Sequence, residues 1–252
     1  MATKKIEKVL VLRTCDSDMK AYSGFTWPKR GPVSAPDWDP APRCGNGLHG
    51  LLWGEGAGGL LSFFPDAKWL VVEVLAKDIV QLDGKVKFPK GKVVHCGSRE
   101  TATAYLAQRC SGRRIVGGTA TAGDYGVATA GYRGTATAGE GGTATAGDYG
   151  AATAGEGGTA TAGEGGTATA GYRGTATAGV GGTATAGDYG AATAGYRGTA
   201  TAGEGGLLLM RWWDGKRYRI ATFYVGEDGI EAGIPYRCDA GKAIRVKKEA
   251  ET

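Results

Sequence analysis

From Thr119 to Glu204 one eight-residue phrase recurs eleven times, as TATAGDYG, VATAGYRG, TATAGEGG and close variants. A fixed short period with alternating Thr and Ala, closed each time by Gly, is the mark of a β-solenoid, in which each repeat contacts only its neighbours. In the octad Thr143-Ala144-Thr145-Ala146-Gly147-Asp148-Tyr149-Gly150, strand alternation puts the two Thr on one face and the two Ala on the other. Thr is β-branched and suits an exposed pleated surface, whereas Ala fits a thin interior. Burying the Thr column instead would cost about 1–3 kcal/mol for every hydroxyl left without a partner. The glycines at octad positions five and eight are expected to supply the positive φ of a tight corner. Between them lies a variable pair, Asp-Tyr, Tyr-Arg, Glu-Gly or Val-Gly.

One octad cannot close a coil, since strand, corner, strand and corner are all needed. Two octads give a sixteen-residue coil with two faces; three give a triangular prism. With two per coil, Arg173 stacks between Glu156 and Asp188, and Arg133 stacks beside Asp148. With three, Arg173 falls beside Arg197, a like-charged pair. Corner charge therefore favours the two-octad coil. Eleven octads then build five to six coils, a rod of roughly 25 Å at ~4.8 Å per coil.

The chain has 252 residues, room for flanking units beside the array, and its 47 glycines concentrate in the repeat. Its formal charge of +5 is divided unevenly: the octads hold seven acids against three arginines, a net −4, so the flanks carry +9. Much of this lies near the ends, in Lys4, Lys5, Lys8, Lys242, Arg245, Lys247 and Lys248. No basic stripe with interleaved aromatics accompanies it, so nucleic acid is not an expected partner. No apolar run approaches the ~20 residues of a membrane span. No signal peptide precedes the first residues, and the five cysteines (Cys15, Cys44, Cys96, Cys110, Cys238) show no tight pairing spacing. A reducing cytoplasm is the expected compartment.

Residues 1–110 read as an α+β domain. Val9–Leu12 and Trp69–Val74 are buried-strand runs, Asp83-Gly84 is a turn, and Lys85–Phe88 and Lys92–His95 follow as strands. Ser98 is placed to cap a helix running to Arg109, with Ala102, Tyr105 and Leu106 inward. The Trp- and Pro-rich stretch 27–42 reads as an irregular loop whose aromatics cover the core. After the solenoid, residues 111–206, a β-rich cap is expected over 207–252. In it Leu207–Met210 restores large apolar side chains, and Asp214-Gly215 turns the chain into Tyr218–Tyr224. Open solenoid ends are unpaired edges, which the cap and the N-terminal domain are expected to cover.

The phrases LRTCDSDMKAYSGF, CGNGLHGLLWGEG and VKFPKGKVVHCG, the GGTATAG octads and the RWWDGKRYRIATFYVGEDGIEAG tail resemble uncharacterised proteins of actinobacteria and their phages. That resemblance implies this domain order and no activity. The repeat alone, GYRGTATAGEGGTATAG, is similar to the sixteen-residue repeats of bacterial ice-nucleation proteins, which supports the two-octad coil.

Four sets of residues are candidates for function. The Thr-x-Thr arrays comprise Thr121, Thr129, Thr135, Thr137, Thr143, Thr145, Thr153, Thr159, Thr161, Thr167, Thr169, Thr175, Thr177, Thr183, Thr185, Thr193, Thr199 and Thr201. They form ladders with Thr about 6.7 Å apart along a strand and ~4.8 Å between coils, resembling the T-x-T faces of antifreeze solenoids. The first Thr gives way to Val127, Ala151 and Ala191, whereas the second never changes, which counts against a two-column ice face. The corner tyrosines Tyr125, Tyr132, Tyr149, Tyr172, Tyr189 and Tyr196 are candidate interface anchors. Cys44, His49 and Cys96 make a possible metal set, at spacings longer or tighter than zinc sites favour; no metal or cofactor is expected. Finally, Tyr22-Ser23-Gly24-Phe25 with Gly47-Leu48-His49-Gly50 and Glu73 resemble ADP-ribosyltransferase-like folds, which implies a nicotinamide-nucleotide site.

The first functional reading is a non-enzymatic repeat protein presenting a rigid surface to a protein partner or to copies of itself. The alternative is ice binding through the Thr ladders. A second alternative is a cryptic ADP-ribosyltransferase-like or metal-binding N-terminal domain.

Overall fold

The computed structural model describes residues 7–21 and 24–246. Lys4, Lys5, Tyr22, Ser23, Lys247 and Lys248 lie outside the described residues. The chain divides into two compact units, Met1–Thr119 and Ala120–Thr252. Among the described residues no helix is long and apolar enough to cross a membrane.

The first unit is α+β, as its mixed patterning predicts. Its strands are β1 (Lys8–Cys15), β2 (Gly31–Ser34), β3 (Leu48–Leu52), β4 (Lys68–Leu75), β5 (Val80–Leu82), β6 (Lys85–Phe88) and β7 (Lys90–Gly97), followed by α1 (Arg99–Ala107). They form one sheet in the order β2-β7-β4-β1-β3-β6-β5. The central pair β1 and β4 is antiparallel along its full length, Lys8 opposite Leu75 through Cys15 opposite Lys68. Val11, Leu12, Leu70, Val71 and Val72 are fully buried there, as continuous apolar runs in central strands require. Ser98 accepts from Thr101 N and starts α1. Ala102 and Leu106 are buried as expected, but Thr103 is buried too, its hydroxyl bonded to the Arg99 carbonyl at 2.9 Å. Tyr105 is half-buried, tilted against His95 and under Arg109. The stretch 27–42 is not wholly irregular. Trp27 is buried in the core, and Gly31–Ser34 pairs with β7 as an edge strand.

The second unit opens with the solenoid, a mainly β fold in which each octad supplies one strand. Strands pair parallel and in register with the octad sixteen residues on: Thr137 with Thr153, Thr153 with Thr169, Thr169 with Thr185, Thr185 with Thr201. The coil therefore holds two octads, and successive octads alternate between two sheets. Alanine fills the interior: Ala136, Ala144, Ala160, Ala168, Ala176, Ala184, Ala192 and Ala200 have no exposed surface. Each buried methyl contributes on the order of 0.8 kcal/mol, so the stack depends heavily on its backbone ladder and close contact between coils.

The expected origin of the corner needs correction. Positive φ falls at octad position seven, not at the glycines of positions five and eight. Position eight donates to the carbonyl of position five, as Gly142 does to Gly139 at 3.1 Å, and closes a turn whose third residue is left-handed. Positions five and eight are glycine for lack of room. A Cβ on Gly195 would stand 2.5 Å from the carbonyl carbon of Gly179 one coil earlier. The left-handed site itself holds six non-glycines, Tyr125, Arg133, Tyr149, Arg173, Tyr189 and Arg197, with φ between 51° and 60°. Each costs roughly 1–2 kcal/mol.

The tail closes the stack. Leu207–Trp213 pairs parallel with Ala191–Ala194, so Leu208 and Met210 extend the two alanine columns with larger, fully buried side chains. It then forms the expected hairpin with Tyr218–Tyr224. On the other sheet, Tyr236–Asp239 lies antiparallel to Thr199–Ala202 and pairs with Lys242–Arg245. Ile230 and Tyr236 complete the plug.

Candidate functional site

The two solenoid sheets are not equal. One contains the strands starting at 119, 135, 151, 167, 183 and 199; the other those starting at 127, 143, 159, 175 and 191, followed by Leu207–Trp213. On the first sheet the second-position column is unbroken: Thr121, Thr137, Thr153, Thr169, Thr185 and Thr201. Its first-position column is interrupted once, by Ala151, between Thr135 and Thr167. On the second sheet the interruptions fall near both ends. Val127 precedes Thr143, Ala191 follows Thr175, and Leu207 and Leu209 then replace both columns. That leaves Thr143/Thr145, Thr159/Thr161 and Thr175/Thr177 as its complete rows, with Thr129 and Thr193 as half rows. Read along the chain, the three substitutions look scattered; folded, two of them belong to one face. The Thr side chains of both sheets stand on the surface, exposed or half-exposed, opposite the buried alanines.

Backbone geometry fixes the array. Each strand bonds to the one a coil away without a register shift, so like residues stack directly. A β-branched side chain on such a ladder has few rotamers, and neighbouring Thr repeat one arrangement of hydroxyl and methyl.

The corners hold the coils in step. Asp124, Asp148 and Asp188 each accept, through Oδ1, the backbone N–H of the acid one coil later, Glu140, Glu164 and Glu204, at 2.9–3.0 Å. The left-handed residue also donates its N–H across the coil, as Tyr149 does to the Glu164 carbonyl at 2.7 Å. A regularity follows that the octad-by-octad sequence reading missed. Tyr149 lies over Gly165 and Tyr189 over Gly205, where a Cβ would meet the ring at under 3 Å. Tyrosine at position seven is thus followed sixteen residues later by glycine. Behind two of these tyrosines stands a Tyr-Arg corner: Tyr132 meets Tyr149, and Tyr172 meets Tyr189, edge to face with centroids 5.8 Å apart. Along each edge the order Tyr-Arg, Asp-Tyr, Glu-Gly therefore spans three coils. These rings pack along the corner. Tyr125 and Tyr189 stay 78% and 62% exposed, while Tyr132 and Tyr196 are half-buried.

In the first unit the proposed metal set is not brought together. Among the described residues no group of three or more His, Cys, Asp or Glu is placed to hold a metal ion. Cys44 is exposed and accepts from Lys85 Nζ at 3.0 Å, which pulls its thiol pKa down. Cys96 packs on Met19, and burial pushes its thiol up. Gly24, Phe25 and Gly47–Gly50 do share one wall, that of a cleft of about 920 Å³. Glu73 does not line it; it pairs with Lys8 at 2.8 Å beside a separate groove.

The array defines a β-solenoid whose octads resemble ice-nucleation repeats. Over 109 residues the chain is 45% identical to an ice nucleation protein of Pseudomonas fluorescens, a stretch covering 42% of this chain and 9% of that protein. An ice nucleation protein of Xanthomonas campestris pv. translucens is 44% identical over 104 residues, 40% of this chain and 7% of the relative. Ice nucleation protein InaU of Pantoea ananas is 39% identical over 104 residues, 40% of this chain and 10% of the relative. The chain thus spans about a tenth or less of the length of these relatives. Residues 9–104 match a family described as a domain of unknown function, DUF7666. No solved structure matches the chain.

Proposed function

We propose that the protein binds ice, without enzymatic activity, through the threonine columns of the sheet that starts at Thr119–Thr121. The observation that carries this is the unbroken, in-register column Thr121, Thr137, Thr153, Thr169, Thr185 and Thr201, with a first-position Thr beside it in every coil but that of Ala151. A lattice of fixed hydroxyls at spacings of ~4.8 and about 6.7 Å orders water in place. The methyls beside them hold little water that an advancing crystal must displace. The similarity of the chain to ice nucleation proteins supports this reading over that of a protein-binding scaffold. Six coils give a face only roughly 25 Å long. An area that small suits adsorption to an existing crystal better than starting a new one.

The test is thermal hysteresis and crystal shaping by the purified protein, with droplet freezing measured alongside. Faceted growth and a freezing point held below the melting point are expected, with little change in droplet freezing temperature. Unmodified disc-shaped growth at millimolar protein rejects the proposal. The scaffold reading keeps one specific support, the exposure of Tyr125 and Tyr189. Replacing both with Ser should then abolish self-association seen in sedimentation and leave ice shaping unchanged.

A further inference from the structure

The cleft of about 920 Å³ in the first unit has a chemistry distinct from that of the threonine columns. One part of its wall is apolar and aromatic: Phe25 meets Trp27 edge to face at 5.7 Å, with Leu48 and Leu61 beside them. The other part is cationic. Arg13 lies 4.0 Å over the Trp27 ring, and its guanidinium bonds to the carbonyls of Thr14 and His49 and faces the buried Cys15 thiol. Lys85 lines the same wall and donates to Cys44. Lys87 sits directly opposite His49 across the β3–β6 pair and is fully buried. Its ammonium, His49 Nε2 and Trp27 Nε1 have no hydrogen-bond partner among the described residues. No ion pair engages Arg13, Lys85 or Lys87 among those residues. Asp37, the carboxylate in the wall, accepts from the Gly47 N–H at 3.0 Å and forms no ion pair with these cations among the described residues.

Arg13, Lys85 and Lys87 outnumber the nearby acids, Asp37 in the wall and Asp39, which feels Lys87 but pairs with Arg43. Such excess positive charge is costly in a partly dry site. Burial pulls the Arg13 pKa down, and burial followed by the charges of Lys85, Arg13 and Lys87 lowers that of His49. Neutralising such a group of cations calls for an anion. The aromatic wall calls for a flat apolar body attached to it, and the volume is that of a small-molecule pocket.

We propose that this cleft binds a small organic anion with a flat apolar body, its charge held by Arg13 and Lys85 and its body laid against Phe25 and Trp27. The site is independent of ice binding. A planar carboxylate and a nucleoside phosphate share this chemistry, and calorimetric titration of the full chain separates them. The probes are naphthoate and adenosine monophosphate, each beside its neutral counterpart, naphthyl methanol and adenosine. At least one anion is expected to bind tenfold or more tightly than its neutral partner. Arg13→Gln should reduce that preference below threefold. Lys85→Ala, at a half-buried position that the core does not need, should weaken the same anion at least threefold, and it carries the test if Arg13→Gln fails to fold. Equal affinity of charged and neutral partners, binding that both variants leave unchanged, or no binding of any probe at millimolar concentration overturns the proposal.

Discussion

The two units reach stability by opposite routes. In the first, large side chains such as Leu12, Leu70, Phe88 and Trp69 are buried and no short period governs them. In the solenoid the interior is alanine, and the close contacts run backbone to backbone between coils. A core of large side chains can relax around a lost methylene, at a cost set by how far it collapses. A stack of coils in backbone contact has no flexible atoms to move. The cheapest atom to add, one Cβ at the wrong glycine, is the most damaging one there.

That contrast predicts an order of effects. Gly195→Ala, which drives a Cβ into the Gly179 backbone, should destabilise the solenoid most, by about 3–5 kcal/mol. Hydrogen exchange should show protection lost in the coils on either side of it and retained in the first unit. A loss below about 1 kcal/mol would mean that the coils slide apart freely. Next comes a matched pair of truncations, read by urea unfolding. Leu70→Ala should cost about 3 kcal/mol in the first unit, whereas Ala168→Gly should cost about 1 kcal/mol in the second, since there is so little side chain to lose. Equal losses would erase the distinction. The smallest effect concerns the cap. Asp214 accepts from Arg217 N, Arg219 and Lys216 N, and these bonds hold its carboxyl at about 2, below its ordinary 3.8. Its contribution is complete above that ordinary value and disappears as pH falls through about 2. Asp214→Asn should therefore flatten the acid limb of a melting profile of the hairpin, matching wild type near pH 2 and falling slightly below it at neutral pH, where Asp214 contributes in full.

The same contrast explains what the sequence made legible. Alternating Thr and Ala fixes which side faces in, and corner charge is enough to choose the sixteen-residue coil, because every contact recurs at one spacing. Neighbouring octads hide the rest. Val127 and Ala191 spoil one face and Ala151 the other, which is visible only once octads are sorted by parity. The left-handed position was misplaced because glycine serves both positive φ and close approach, and composition does not tell the two apart. Gly165 under Tyr149 is the signal that sixteen-residue spacing would have revealed. In the first unit nothing recurs. Edge strand β2 is a short Gly-Pro-Val-Ser segment inside a Pro-rich stretch. The cationic cleft gathers Arg13, His49 and Lys85 from three different strands, which no local pattern announces.

The central claim is that one face, rather than the repeat as such, meets ice. Thr169→Tyr and Thr161→Tyr place the same bulky side chain at the second position of a middle coil, on opposite sheets. Thermal hysteresis should fall at least fivefold for Thr169→Tyr and by less than half for Thr161→Tyr, with both variants keeping wild-type circular dichroism. Equal loss in the two, or full activity in Thr169→Tyr, would contradict the assignment of ice binding to the unbroken threonine column.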